Sequence, residues 1–148
     1  MDTFLIDWGL PALFGISFLA ATVLPVASEW LLAAMVMHHG DLAAAVTVAT
    51  LGNTLGALTT WAVGMWGGLW ILHRWFGISE ASRLRAENWY ARWGSWSLLL
   101  AWMPVVGDPL CLVGGMLRVP PGRFILLVAT GKAARYLLVA WSAWHLAR

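Results

Sequence analysis

Residues 96–111 have the sequence Trp-Ser-Leu-Leu-Leu-Ala-Trp-Met-Pro-Val-Val-Gly-Asp-Pro-Leu-Cys, in which Pro104, Asp108 and Pro109 interrupt an apolar run. Proline removes a backbone donor and disfavours helix at the preceding residue, so we expect the helix to break over 103–109. The arms on either side are about ten residues long, roughly 15 Å, which is half of a bilayer. The pattern predicts a re-entrant hairpin over 95–118, and such hairpins are tolerated in membranes only inside protein or beside a wet cavity.

The composition of the whole chain indicates an integral membrane protein. Its 148 residues are 61% hydrophobic and 11% charged, with a mean hydropathy of +0.75, whereas a soluble domain is roughly 45–50% apolar and about a quarter charged. The length allows one membrane domain, 1–148. A net charge of +2 is too small to indicate a nucleic-acid partner, and the single cysteine, Cys111, excludes a disulfide framework.

Two segments predict complete membrane crossings, about 42–66 and about 122–145, because each supplies the roughly 20 apolar residues that a crossing needs. The region 10–39 contains a second break, at Leu-Pro-Val-Ala-Ser-Glu around Pro25. It predicts a second hairpin. A kinked ordinary crossing stays open as the alternative, because residues 3–24 are long enough to span the bilayer.

An internal repeat with an offset of 79 residues aligns the two breaks, Pro25 with Pro104 and Glu29 with Asp108. Each repeat is a hairpin plus one crossing, an odd number of crossings, so the second repeat must be inverted. We predict an all-α fold of two inverted repeats, about 10–66 and about 95–145, an arrangement typical of secondary transporters. Two crossings and two hairpins make a thin wall for a cavity, so a homodimer is expected.

The linker between the repeats, about 69–92, is predicted to be a basic amphipathic helix on the membrane surface. Six arginines fall on its side of the predicted membrane, against Arg148 alone on the other, so the positive-inside rule places the 67–94 loop in the cytoplasm. These are Arg74, Arg83, Arg85, Arg92, Arg118 and Arg123. The same part of the chain carries the tryptophans of an interfacial belt: Trp66, Trp70, Trp75, Trp89, Trp93 and Trp96.

Two acids, Glu29 and Asp108, fall at the predicted hairpin tips. Acids in the membrane are costly and usually functional, which favours a proton-coupling or gating pair. Alternatively, each carboxylate caps the second arm of its hairpin by accepting backbone N–H bonds.

Two cations, Lys132 and Arg135, lie three residues apart on one face of the last crossing. They either neutralise the two acids or bind an anionic group such as a lipid phosphate, for which arginine is well suited. Asn53 is the polar centre of the first crossing, between Gly52 and Gly56, and this spacing favours close helix packing beside a polar path. The sequence shows no nucleophile–base pair, metal-ligand set or phosphate-binding loop, so we expect neither an enzyme nor a cofactor or metal.

Three motifs resemble the DedA superfamily, also called the VTT or SNARE-associated family, and in particular its small YqaA branch. They are Pro-Val-Ala-Ser-Glu at 25–29, Gly-Asn-Thr-Leu-Gly at 52–56 and the stretch 96–111. The resemblance implies a multi-pass protein of the bacterial inner membrane with two re-entrant hairpins. It also implies translocation of a polyprenyl phosphate carrier or a phospholipid, driven by protons, with Glu29 as the essential carboxylate.

The chain departs from the wider family in its second hairpin. The Arg-Phe-x-Pro-Gly-x-Arg pattern of the family is replaced by Ala-Trp-Met-Pro-Val-Val-Gly at 101–107, without either arginine. An acid that is common in the first crossing is replaced by Asn53. We therefore expect Lys132 and Arg135 to contact the anion.

The leading expectation is a proton-linked translocase of an anionic lipid. The alternative is a non-transporting scaffold or envelope-homeostasis protein that acts through the basic, tryptophan-rich linker helix.

Overall fold

The structure is a computed structural model that describes residues 2–21, 27–39, 41–67, 74 and 77–146, with side chains at the N-terminus described from Trp8 and in the second helix over 28–37. Of the described residues 89% are helical and none is in a strand. The predicted all-α class is confirmed.

The described residues include six α-helices and one 3-10 helix with defined bounds, and Arg74 is also helical. The α-helices are α1 (Asp2–Ala20), α2 (Ala27–His39), α3 (Leu42–Trp66), α4 (Glu80–Trp93), α5 (Gly107–Met116) and α6 (Pro121–Leu146), and the 3-10 helix is Gly94–Trp102. Only α3 and α6, among the described residues, are long and apolar enough to cross a membrane. By length and composition they match the two predicted crossings.

The break in the second predicted hairpin is confirmed, although its limits differ from the prediction. The 3-10 helix ends at Trp102 and α5 begins at Gly107, so only 103–106 are non-helical. Pro109 lies inside α5, in the first turn, where the missing N–H of proline leaves no helical bond unmade. The first arm is also a 3-10 helix of nine residues instead of the expected α-helix, which is long for that conformation.

The first predicted break falls between the end of α1 at Ala20 and the start of α2 at Ala27. Pro25, the predicted cause, lies outside the described residues. The re-entrant course of both regions and the inverted repeat with its boundaries stay predictions.

The linker is not one continuous helix, as it was predicted to be. Residues 77–79 are not helical, and α4 begins at Glu80, with the Ser79 hydroxyl accepting a hydrogen bond from the Ser82 backbone N–H. A serine N-cap of this kind satisfies one of the orphan donors of a helix start. One continuous helix over 69–92 was therefore wrong, because 77–79 interrupt it, and the described helix of this linker is Glu80–Trp93.

The chain divides into two compact units, each with its own core. Unit 1 is Met1–Gly56 with Lys132–Arg148, and α1 packs on α2 within it. A Cβ atom on Gly52 would lie 2.5 Å from the Phe14 carbonyl oxygen, so the missing side chain lets the α1 and α3 backbones approach. The buried apolar residues of unit 1 include Leu13, Leu32, Met35, Val36, Ala49, Tyr136 and Ala140.

Unit 2 is Ala57–Gly131, in which α4 and α5 pack on each other and on the 3-10 helix. A Cβ atom on Gly115 would lie 1.9 Å from the Trp61 carbonyl oxygen, and one on Gly64 would lie 2.2 Å from that of Leu112. The backbones of α3 and α5 therefore touch at glycine positions. The core of unit 2 includes Trp61, Tyr90, Leu98, Leu110, Val113, Phe124 and Val128.

Candidate functional site

A cluster of polar side chains lies among the apolar helices of unit 1, and an ion pair forms one end of it. Arg135 of α6 forms a salt bridge with Glu29 of α2, through Nη2 and Oε1. The two side chains are 19% and 23% exposed. This pair joins two residues that the sequence analysis singled out, an acid at the first break and a cation of the last crossing.

The rest of the cluster is a hydrogen-bonded chain that starts at Lys132, which is 5% exposed. The Lys132 ammonium donates to the Asn53 backbone oxygen at 3.2 Å and to the Asn53 side-chain Oδ1. The Asn53 Nδ2 donates to the Tyr136 hydroxyl at 2.8 Å. Tyr136 lies 3.0 Å from the Ser28 hydroxyl, so its own proton can be donated to Ser28. The chain thus runs from a buried cation to the residue beside Glu29.

Three helices place these groups together. Ser28 and Glu29 lie in the first turn of α2, where a negative charge is stabilised by the helix dipole. Lys132 and Tyr136 are separated by four residues of α6 and therefore share one face of that helix. Asn53 lies in the middle of α3, next to the glycine that contacts α1.

Three buried hydroxyls of unit 1 lack a hydrogen-bond partner among the described residues: Ser17, Thr50 and Thr54. Ser17 is fully buried. A buried hydroxyl without a partner costs about 1–3 kcal/mol. Such groups need an explanation, and a polar solute or an ordered water is the ordinary one.

Unit 2 contains the remaining predicted residues. Asp108 is half-buried in the first turn of α5. The N-cap residue of α5 is Val106, which makes no side-chain cap hydrogen bond, and Asp108 is the second residue of the helix. Both alternatives for its carboxylate, gating and capping, stay predictions. Pro104 lies in the turn before α5, and Pro109 is buried within that helix. The neighbouring Val105 has φ +69, a left-handed conformation that is strained for a β-branched residue.

Sequence reasoning missed Tyr136, the residue that joins the polar groups of three helices. Tyr136 was not recognised because a tyrosine in an apolar helix ordinarily indicates core packing or a membrane interface. Its spacing of four residues from Lys132 is the signal that could have identified it. Among the described residues, no group of three or more histidine, cysteine, aspartate or glutamate side chains could hold a metal ion.

The chemistry of this cluster is charge pairing and hydrogen bonding in an apolar surrounding. Arg135 offers a planar set of donors suited to a carboxylate or a phosphate, and Glu29 occupies part of it. Lys132 provides a second positive charge on the same helix. An anion that displaced Glu29 would pair with the Arg135 guanidinium, and Lys132 lies three residues earlier on the same helix.

Comparison with known families gives a match to the VTT domain over residues 24–144. The match includes α2, α3, α5 and most of α6, and therefore all the residues of the cluster except Ser17.

Several curated proteins are similar over most of their length. The inner membrane protein YqaA of Escherichia coli is 43% identical over 135 residues, which is 87% of either chain. An uncharacterized protein of Haemophilus influenzae is 36% identical over 129 residues, 82% of this chain and 78% of that one. The uncharacterized membrane protein YbfM of Bacillus subtilis is 23% identical over 133 residues, 84% of this chain and 82% of that one. No solved structure matches.

Proposed function

The chain belongs to the VTT domain family, the DedA family, and on that premise we propose that it moves an anionic lipid between the leaflets of a bacterial inner membrane. The location follows the name of its Escherichia coli relative. The proposed substrate is a polyprenyl phosphate carrier or a phospholipid. Transport of this kind needs no catalytic residue and no cofactor. We propose that the protein acts as a homodimer.

The observation that carries this proposal is the Glu29–Arg135 ion pair beside the buried Lys132. Burial of a charged group in an apolar helix costs free energy, and such groups are ordinarily found where a protein binds a substrate or an ion. Arg135 and Lys132 supply the positive charge that a phosphate headgroup requires. The unsatisfied hydroxyls of Ser17, Thr50 and Thr54 add polar groups to the same unit.

Proton coupling would operate through competition for Arg135. The ionised Glu29 holds the guanidinium, and a proton taken up by the carboxylate weakens that pair. Arg135 then becomes available to a phosphate. Return of the phosphate to bulk solvent would restore the ion pair and release the proton. Asp108 is proposed to act as the equivalent carboxylate of the second hairpin.

The finer architecture is also a proposal, namely two inverted repeats, each with a re-entrant hairpin. Lys132 bonds to Asn53, and the two are separated by the repeat offset of 79 residues. Asn53 and Lys132 therefore occupy equivalent positions in the two repeats. Equivalent positions come into contact where a two-fold axis passes between them, so this contact supports such an axis between α3 and α6. We expect cysteines introduced at Asp41 and Arg83 in a Cys111→Ala background to react with impermeant reagents from opposite sides of the membrane. Labelling of both from one side would contradict the crossing of α3, on which the inverted arrangement depends.

Transport is tested by following a fluorescent polyprenyl phosphate between leaflets of reconstituted liposomes, with a fluorescent phospholipid beside it, with and without a proton gradient. We expect exchange in the wild type and a loss of at least about tenfold in Glu29→Gln, because the amide cannot take up and release the proton. Full activity in that variant would overturn the assignment of Glu29.

The matched control is Glu87→Gln, the same change at an acid of α4 that pairs with Arg83. It should leave exchange unchanged. A second control separates proton coupling from loss of the ion pair. If Glu29 acted only by neutralising Arg135, the double variant Glu29→Gln/Arg135→Gln would recover exchange, whereas the proposed mechanism predicts that it stays inactive.

A scaffold function is the second candidate, and exposed aromatic residues around α4 favour it. Trp93 and Trp96 are 63% and 60% exposed, next to the exposed Arg85 and Arg92. Such a surface suits binding to anionic lipid or to a partner at the membrane interface. In that case charge reversal at Arg85 would abolish the biological effect, and Glu29→Gln would not.

A further inference from the structure

An open apolar groove lies in unit 2 and shares no residue with the polar cluster of unit 1. Its volume is about 580 Å³, within the range of about 300–1,000 Å³ that is typical of small-molecule sites. The end of α3 supplies most of the wall, and the segment between α5 and α6 supplies the rest. Its lining includes Leu58, Trp61, Ala62, Met65, Trp66 and Arg118.

Arg118 is the charged member of this lining, and its backbone position is fixed. It has φ +54, the left-handed conformation found just after a helix end. Its N–H donates to the Gly115 carbonyl at 2.9 Å, and the next N–H, of Val119, donates to that of Gly114 at 2.9 Å. These are the two hydrogen bonds of a Schellman motif, whose left-handed position is ordinarily occupied by glycine. An arginine there accepts a backbone penalty, which indicates that its side chain has a use.

The Arg118 side chain is not needed to close α5. The backbone N–H groups of Leu117, Arg118 and Val119 already bond to carbonyls in the last turn of that helix. The Arg118 side chain is exposed, and within the described part of the chain it forms no ion pair. Its positive charge therefore lies at the apolar groove without an ion-pair partner among the described residues.

The floor of the groove is held in place by Trp61. Its Nε1 donates to the Val119 carbonyl at 3.1 Å, which ties α3 to the residue after Arg118. Its ring is 5.8 Å from that of Phe124 and 6.5 Å from that of Trp66, measured between centroids. Tryptophan at such a position is typical of the membrane interface, where one end of the ring is apolar and the other polar.

We propose that this groove binds one anionic phospholipid of the surrounding bilayer. One acyl chain lies along the wall of α3, and the phosphate is bound by the Arg118 guanidinium. The apolar lining excludes a polar solute, and the single unpaired cation selects an anionic headgroup over a zwitterionic one. This site is independent of the transport proposal, because it uses other residues and a lipid that stays bound.

The test is native mass spectrometry of the full chain, purified in detergent and titrated with phosphatidylglycerol or with phosphatidylcholine of identical chains. We expect the wild type to prefer phosphatidylglycerol by about fivefold, the effect of one basic residue at an anionic membrane surface. Arg118→Gly should reduce the preference at no backbone cost, since glycine suits the left-handed conformation. Ala62→Phe, which fills the groove, should lower the occupancy of both lipids.

The matched control is Arg123→Gln, which removes an exposed arginine that does not line the groove. It should keep the preference. Retention of the full preference in Arg118→Gly, or its loss in Arg123→Gln, would overturn the headgroup assignment. Unchanged lipid occupancy in Ala62→Phe would overturn the assignment of the groove to an acyl chain. Thermal unfolding of each variant shows whether a loss of binding reflects a loss of fold.

Discussion

Unit 1 and unit 2 each pack helices around a buried core, and they differ in the polar groups inside it. In unit 1 the buried polar residues include Lys132 and Asn53. Among the described residues, the buried hydroxyls that lack a partner, Ser17, Thr50 and Thr54, all belong to unit 1. In unit 2, the buried Ser97 donates to the Trp89 carbonyl, and Tyr90 donates to that of Leu110.

This difference separates stability from function. Burial of polar and charged groups in an apolar core is costly, so a core selected for stability alone would hold few of them. Local features that conflict with stability are ordinarily found at functional sites. The polar content of unit 1 therefore favours the proposal that the lipid phosphate is bound there.

The two units also differ in how closely their helix backbones approach each other at glycine residues. In unit 2 a Cβ atom on Gly115 would lie 1.9 Å from the Trp61 carbonyl oxygen. In unit 1 the corresponding distance from Gly52 to the Phe14 carbonyl oxygen is 2.5 Å. Backbone atoms cannot move aside as a flexible side chain can, so the α3–α5 contact tolerates the least change.

The largest effect is expected for Gly115→Ala. The added methyl group forces α3 and α5 apart, and overpacking of this kind costs about 3 kcal/mol. Gly52→Ala should cost less, about 2 kcal/mol, because its nearest atom is farther away. Gly122→Ala is the control, since nothing lies within 4 Å of its Cβ position. Thermal unfolding of the detergent-solubilised variants measures all three.

The comparison of the two units would fail if the order of these variants were reversed. A Gly52→Ala variant less stable than Gly115→Ala would place the tightest packing in unit 1. A large loss in Gly122→Ala would show that the measurement responds to any change in α6.

The sequence predicted the long helices and the charged residues for physical reasons that are local. Runs of apolar residues of membrane-spanning length are visible without any neighbour, and α3 and α6 begin and end within a residue of prediction. Charged residues in such runs attract attention because they are expensive there. The pairing of Glu29 with Arg135 followed as one of two alternatives, since opposite charges in an apolar region are drawn together.

The details that the sequence missed depend on tertiary contacts. The 3-10 conformation of 94–102 accompanies a contact in which a Cβ atom on Gly107 would lie 2.3 Å from the Ala101 carbonyl oxygen. The late start of α4 follows from the N-cap at Ser79, which the apolar and basic periodicity of the linker conceals. The role of Tyr136 depends on partners in α2 and α3 that are distant in the sequence.

The smallest effects, and the sharpest comparison, come from one buried tyrosine in each unit. The Tyr136 hydroxyl accepts from Asn53 and contacts Ser28. The Tyr90 hydroxyl donates to the Leu110 carbonyl at 3.1 Å, and Gly114 leaves the room that it occupies. Burial raises the pKa of Tyr90, so this hydroxyl keeps its proton and remains a donor.

Tyr136→Phe should cost about 2 kcal/mol, because the Asn53 amide and the Ser28 hydroxyl both lose a partner in a buried site. Tyr90→Phe should cost about 1 kcal/mol, the value of one ordinary hydrogen bond. The two variants should also differ in lipid exchange. Exchange falls in Tyr136→Phe, because the hydrogen-bonded chain from Lys132 to Ser28 loses its tyrosine hydroxyl, and it is unchanged in Tyr90→Phe. Equal exchange in the two variants at equal protein levels would mean that the Tyr136 chain stabilises unit 1 without taking part in transport. A fall in both would show that lipid exchange does not depend on the polar chain of unit 1 in particular.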